Sequence, residues 1–178
     1  MNILAFGAST SSQSINRQLA NYAANLVANA TVTNLDLNDF DLPIYSSDEE
    51  EKNGIPTDID RFLQLIESHD ALFVSLAEHN GSYTAAFKNL YDWTSRKAPD
   101  AKVWLNKPMF LLSTSPGGRG GATVLETAKA TFPRMGADLK ATFSLPSFYD
   151  NFSPETGITD PALASEFNQT LSLHFPLK

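Results

Sequence analysis

The sequence predicts an α/β fold: a doubly wound five-stranded parallel sheet of strand order 2-1-3-4-5 with helices on both faces. Three observations lead there. Strand-like and helix-like segments alternate along the chain, which implies parallel pairing through crossover helices. Two of the strand segments, residues 71–76 and 109–112, are nearly unbroken apolar runs, as a sheet covered on both faces requires. Polar loops follow the first, third and fourth strands, on the edge where open α/β sheets bind ligands.

Each element has its own signal. Ile3 to Phe6 is a short apolar run stopped by Gly7. From Ile15 the apolar residues Ile15, Leu19, Tyr22, Ala23, Leu26 and Val27 recur at steps of three and four, a helical stripe. Val32 to Leu37 alternates and reads as the second strand. A long polar connection follows, with the acidic cluster Asp48 to Glu51 read as a solvated loop. Ile59, Phe62, Leu63 and Ile66 form the next helical face, and residues 71–76 the third strand. After Asn80-Gly81 comes a helix carrying Phe87, Leu90 and Tyr91. Asn-Gly is a hairpin signal, but with a helix downstream the segment reads as a strand-to-helix loop. The fourth strand gives way to a glycine-rich loop, Pro116 to Gly121. Val124, Leu125, Ala128 and Phe132 mark a helix that Pro133 must end or kink. Leu139 to Leu145 alternates as the fifth strand, and Leu163, Phe167, Leu171 and Phe175 mark the last helix.

Composition narrows the function classes. The 178 residues are 42% hydrophobic, sufficient for a core, and their number suits one domain spanning 1–178. The formal net charge of −7 repels phosphate backbones and anionic lipid, so nucleic acid and membrane surfaces are poor partners. The chain has no cysteine, which removes disulfides, thiolate metal sites and cysteine nucleophiles. His69, His79 and His174 are scattered, so no metal site is indicated. With neither a basic, apolar leader nor a membrane-length apolar run, a cytoplasmic location is expected.

For this strand order the reversal point lies between strands 1 and 3. Residues 7–16 and 77–82 are therefore expected to face each other across one crevice, with 113–121 beside them. The first loop, Gly7 to Asn16, holds Ser9, Ser11, Ser12 and Ser14 in front of a helix start, where unpaired amide N–H groups and the helix dipole attract anions. Helix capping by Ser12 or Ser14 is the simpler explanation of the same residues. The loop lacks the Gly-Lys-Ser/Thr of a P-loop and the Gly-x-Gly-x-x-Gly of a dinucleotide fold, which leaves a monophosphate cradle. In the second loop, Ala77, Glu78, His79, Asn80 and Gly81 are expected to meet the edge of a flat heterocycle. In the third, four glycines in five residues end a buried strand. Lys88, Asp92 and Arg96, spaced at four, read as charge pairs on an exposed helical face.

Taken together the three loops resemble the NADPH-dependent FMN reductase family, flavodoxin-like flavoproteins that include quinone, azo and chromate reductases. The first is similar to that family's Gly-Ser-x-Arg-x-x-Ser-x-Asn phosphate loop, with Ser9, Ser14 and Asn16 in register and Ser11 where the arginine usually stands. The second matches Pro-x-Tyr-Asn-x-Ser and Leu-Lys-Asn-x-x-Asp-Trp at Asn80, Ser82, Lys88, Asn89, Asp92 and Trp93. Ala77, His79, Phe87 and Thr84 depart from it, Thr84 where a proline is often found. The third, Ser113-x-Ser115-Pro116-Gly117-x-x-Gly120-Gly121, matches Ser-x-Ser-Pro-Gly-x-x-Gly-Gly.

The resemblance implies bound FMN and NADPH or NADH as electron donor. The phosphate would rest on Ser9, Ser11, Ser14 and Asn16 with backbone help from Gln13 and Ile15. The flavin edge would lie against Ala77, Glu78, His79, Asn80 and Gly81 on one side and Ser115, Pro116, Gly117 and Gly118 on the other. A hydride would pass from the nicotinamide to the flavin and the electrons onward to a small acceptor, in a ping-pong cycle that needs no catalytic side chain. Without the arginine, hydroxyl and amide bonds to a dianion at about 1.5–3 kcal/mol each still hold FMN at micromolar strength or better. A homodimer or higher homo-oligomer is expected, with Tyr83, Phe87, Tyr91 and Trp93 offering either a dimer surface or intrachain core. Two other classes fit the same fold: a non-catalytic FMN electron carrier and a flavin-free regulatory domain.

Overall fold

The computed structural model describes residues 1–178. Its sheet consists of β1 (Asn2–Gly7), β2 (Thr31–Asn34), β3 (Ala71–Leu76), β4 (Pro108–Thr114) and β5 (Asp138–Leu145), all parallel, in the spatial order β2-β1-β3-β4-β5. This is the predicted order 2-1-3-4-5. Alternate residues of each central strand enter opposite cores. Leu4, Phe6, Leu72, Val74, Met109 and Leu111 face one, beneath α3 (Asp58–Ser68), α4 (Ala85–Lys97) and α5 (Ala122–Thr131). Ile3, Ala5, Ala71, Phe73, Phe110 and Leu112 face the other, beneath α1 (Ile15–Asn25) and α7 (Pro161–Ser172). Two covered faces explain why these strands read as continuous apolar runs.

The structure corrects four expectations and settles one open alternative. First, β2 ends at Asn34 instead of Leu37, because Leu35 and Leu37 leave the sheet to bury under α3 while Asp36 caps a short 3-10 turn through the Asn38 N–H. Second, the acidic cluster is not a loop. It forms α2 (Ser47–Asn53), capped by Ser46 on the Glu49 N–H at 3.0 Å, with Asp48, Glu49 and Glu50 in the first turn, where the helix dipole favours negative charge. No residue of α2 is buried, so it carries no apolar stripe to read.

Third, Asn80-Gly81 does close a hairpin. Glu78 pairs with Tyr83 and His79 with Ser82, antiparallel, and both turn residues have positive φ (52° and 76°), which Asn and Gly tolerate. Fourth, of the two alternatives for the aromatic residues of α4, Phe87, Tyr91 and Trp93 take the second: they are buried among the chain's own aromatic residues as intrachain core. Tyr83, half-buried, packs on Phe87 and Phe132. Fifth, Lys88 pairs with Asp92 as expected, but Arg96 reaches across to Glu50 on α2. Between β5 and α7 the chain also makes a one-turn helix, α6 (Phe148–Asn151), and a small hairpin joining Phe152–Ser153 to Gly157–Ile158.

Candidate functional site

The site lies at the carboxyl ends of β1, β3 and β4, and its floor begins with a close approach. A Cβ on Gly7 would sit 2.3 Å from the Arg17 backbone nitrogen, so only glycine lets β1 run directly under the start of α1. The loop then folds on its own hydroxyls. Ser11 N–H donates to Ser9 Oγ (3.1 Å), Gln13 N–H to Ser11 Oγ (3.3 Å) and Arg17 N–H to Ser14 Oγ (3.1 Å), the last being the N-cap of α1. Each of these oxygens accepts from the backbone, which leaves its own O–H free to donate. The N–H groups of Ile15 and Asn16, in the first turn of α1, have no protein acceptor. That of Gln13 is already committed.

The neighbouring elements brace this loop. Arg17 pairs with Asp36 after β2 and donates a second bond to the Ser12 carbonyl (2.6 Å), while Asn38 Nδ2 donates to the Thr10 carbonyl (3.0 Å). Hydrogen bonds from the Asn38 backbone N–H, with Asn38 Nδ2 and the Arg17 charge adding to them, hold the Asp36 carboxyl below its usual pKa. Thr84 caps α4 and donates to the Ala8 carbonyl (2.9 Å). Asn16 is buried beneath the loop. Its Oδ1 accepts from Ser75 Oγ (2.7 Å) and from the Thr114 N–H (3.0 Å), and its Nδ2 donates to the Thr114 carbonyl (3.1 Å). The Asn16 side chain thus ties β3 to β4, and the residue keeps its backbone N–H and one amide hydrogen for anything else.

The second and third loops are held in the same way. Glu78 accepts the Val124 N–H (2.9 Å), capping α5 from a distance because the residue at its own N-cap, Gly121, has no side chain. The glycines of the third loop fall into two pairs. Gly120 and Gly121 have φ of 58° and 74°, and a Cβ on Gly120 would meet Ser144 Oγ at 2.4 Å, so the fold itself requires that residue to be glycine. A Cβ on Gly117 meets nothing within 4 Å and one on Gly118 only Ser147 Oγ at 3.9 Å, so the protein's own packing asks for neither.

These loops enclose a cleft of about 200 Å³. Ser9, Ser11, Gln13, Ser14, Ile15, Asn16, Ala77, Glu78, His79, Ser115 and Pro116, all anticipated from the sequence, line it. Asn80 and Gly81, at the hairpin tip, and Gly117 and Gly118 stand outside its walls. Two lining residues, Thr114 and Tyr149, were not anticipated. Thr114 adjoins the Ser115-Pro116 motif and was within reach of it. Tyr149 follows the last strand, and no local pattern marks it. A larger hollow of about 420 Å³ lies beyond Thr10, walled by Phe40, Leu42 and Ile44; its Asn89 amide is committed to the Pro43 carbonyl and the Tyr45 N–H. The serine hydroxyls and the two unpaired N–H groups at the start of α1 belong to residues of the smaller cleft.

Comparison with known proteins gives the family and the fold. Residues 1–150 match the profile of a family described as NADPH-dependent FMN reductase. An NADPH:quinone oxidoreductase of Arabidopsis thaliana is 29% identical over 133 residues, 73% of this chain and 66% of that protein. Among solved structures, the flavoenzyme NAD(P)H:(acceptor) oxidoreductase FerB from Paracoccus denitrificans superposes with a TM-score of 0.74, at 23% identity, over 97% of this chain and 93% of that one. A flavodoxin from Pseudomonas aeruginosa gives a TM-score of 0.54 at 17% identity, over 96% of this chain and 99% of that one. The fold is flavodoxin-like.

Proposed function

The chain belongs to the NADPH-dependent FMN reductase family, and from that premise we propose that it holds FMN in the cleft between residues 9–16, 77–79 and 114–116 and carries electrons from NAD(P)H to a small quinone-type acceptor. The observation that carries the reading is the inventory of uncommitted donors at the start of α1. Three serine hydroxyls, each with its oxygen fixed by a backbone N–H, stand beside two unpaired amide N–H groups at the positive end of a helix dipole. That set suits a phosphate dianion. Beside the cleft, next to Ser115 and Pro116, the space over Gly117 is open although the fold does not need a glycine there, which leaves room for a ring to extend past the cleft wall.

FMN supplies two-electron redox chemistry that no side chain offers; the protein's part is to bind, orient and tune. Ser9, Ser11, Ser14, Ile15 and Asn16 hold the phosphate, with the Gln13 side chain at the rim. The Ala77, Glu78 and His79 backbone, fixed by the Glu78 bond to α5, and Ser115-Pro116, with Gly117 and Gly118 adjoining, flank the ring. Asn80 and Gly81 shape the hairpin that presents residues 77–79. No side chain is needed as acid or base, and one open cleft serves the nicotinamide and the acceptor in turn, a ping-pong order. The test is a visible spectrum of the purified chain with FMN, followed by anaerobic titration with NADPH. Flavin absorbance that bleaches with NADPH and recovers with a quinone is expected. A chain that stays colourless, or a bound flavin that both NADPH and NADH leave oxidised, overturns the proposal.

A further inference from the structure

The geometry points to Tyr149 as the residue that stacks on the flavin ring, an inference that rests on the FMN reading above. Beyond β5 the chain turns at Ser147, whose φ of 46° is left-handed for a non-glycine residue. Two backbone bonds fasten this turn to the third loop. Ser147 N–H donates to the Gly117 carbonyl and Phe148 N–H to the Ser115 carbonyl, both at 3.0 Å. The turn is therefore fixed to the same loop that flanks the ring.

The two aromatic residues that follow have opposite fates. Phe148 is buried and stacks on Phe152, with ring centroids 4.7 Å apart and planes at 22°. Tyr149, one residue later, is 71% exposed and lines the cleft together with Ser9, Gln13 and Pro116. Its only aromatic neighbour is Phe148, nearly perpendicular at 5.7 Å. An aromatic side chain held at the mouth of a binding cleft with most of its surface in water gains by covering a flat ligand, because stacking removes both surfaces from water and aligns their π systems. The hydroxyl and amide donors of the cleft come from Ser9 to Asn16, whereas Tyr149 is the one phenylalanine, tyrosine or tryptophan among the residues that line it.

Titrating the full chain with FMN and, separately, with riboflavin while following flavin fluorescence tests this. Wild type and Tyr149→Phe should quench the bound flavin. Tyr149→Ala should leave it several-fold brighter and weaken both flavins by about tenfold alike, since the phosphate is not involved. An unchanged affinity and quench in Tyr149→Ala overturns the inference and leaves the FMN reading intact. So does a pattern in which Tyr149→Phe fails like Tyr149→Ala for FMN only, which would assign the hydroxyl to the phosphate, or one in which Tyr149→Ala changes only the oligomeric state. If wild type binds neither flavin, the FMN reading falls and the inference with it. Because Tyr149 is exposed, all three proteins should give the same circular dichroism.

Discussion

Asn16 pairs with Thr114 as a neighbouring strand would: its amide oxygen takes the Thr114 N–H at 3.0 Å and its amide nitrogen gives to the Thr114 carbonyl at 3.1 Å. The same oxygen accepts the Ser75 hydroxyl at 2.7 Å. One side chain at the start of α1 therefore completes the hydrogen bonding at the ends of β3 and β4, directly under the cleft.

Replacing Asn16 with Ala should destabilise the protein by about 2–4 kcal/mol, because the Ser75 hydroxyl and both Thr114 backbone groups lose buried partners. Urea denaturation should show a lower midpoint with an unchanged m-value. Loss of FMN in this variant reflects the collapse of the strand ends as much as a missing ligand contact, so Asn16 is a poor probe of the cradle.

Cleaner probes are Gly117 and Ser11. Gly117→Val meets no protein atom at its Cβ, so stability should stay within about 0.5 kcal/mol of wild type while flavin affinity falls. Ser11→Arg places a positive charge beside the donors at the start of α1. It should tighten FMN by roughly tenfold through a charge-assisted bond and leave riboflavin unaffected. Parallel titrations with the two flavins check both expectations.

The Asp36–Arg17 brace sets an acid limb. The Asp36 pKa is lowered in the folded chain, so its stabilisation is present above the ordinary value of 3.8 and is lost as pH falls below it. Both side chains are about one-third exposed (29% and 35%), so the pair contributes no more than about 1 kcal/mol. Asp36→Asn should therefore lower the melting temperature slightly at pH 7 and less at pH 3. Thermal melts between pH 2 and 7 read the difference.

Tyr91 governs the alkaline limb. Burial raises its phenol pKa well above 10, Tyr83 and Asp92 adding to the shift, with Trp104 near enough to temper the rise slightly. A raised pKa means that stability is intact below pH 10 and falls above it, where the unfolded chain ionises first. Neither Tyr91 Oη nor Trp104 Nε1 has a hydrogen-bond partner, although the rings stack at 5.6 Å. Tyr91→Phe removes an unsatisfied buried hydroxyl, so it should cost nothing at pH 7, or stabilise by about 1 kcal/mol, and should flatten the loss of stability above pH 10.

Much of the site was legible because its signals are local. Ser9 to Asn16 and Ser115-Pro116 are contiguous motifs on the ends of strands, and apolar runs long enough to be strands were clear from residues 71–76 and 109–112. The reading failed where stability comes from elsewhere in the chain. Nothing near Glu78 shows that it caps α5 at Val124, and nothing near Asn16 shows that its amide belongs to Thr114. The Asn80-Gly81 hairpin was overridden by the helix behind it, although two strand residues on each side were enough to close it.

By itself the sequence determined the alternation of elements, the parallel sheet and the run of serines between β1 and α1, since each follows from periodicity or from residues contiguous in the chain. Tertiary structure alone decided which polar groups remained free for a ligand, and it alone brought Tyr149 to the cleft. A hydrogen-bond donor is available only if no distant residue has taken it, and that depends on contacts between segments far apart in the chain.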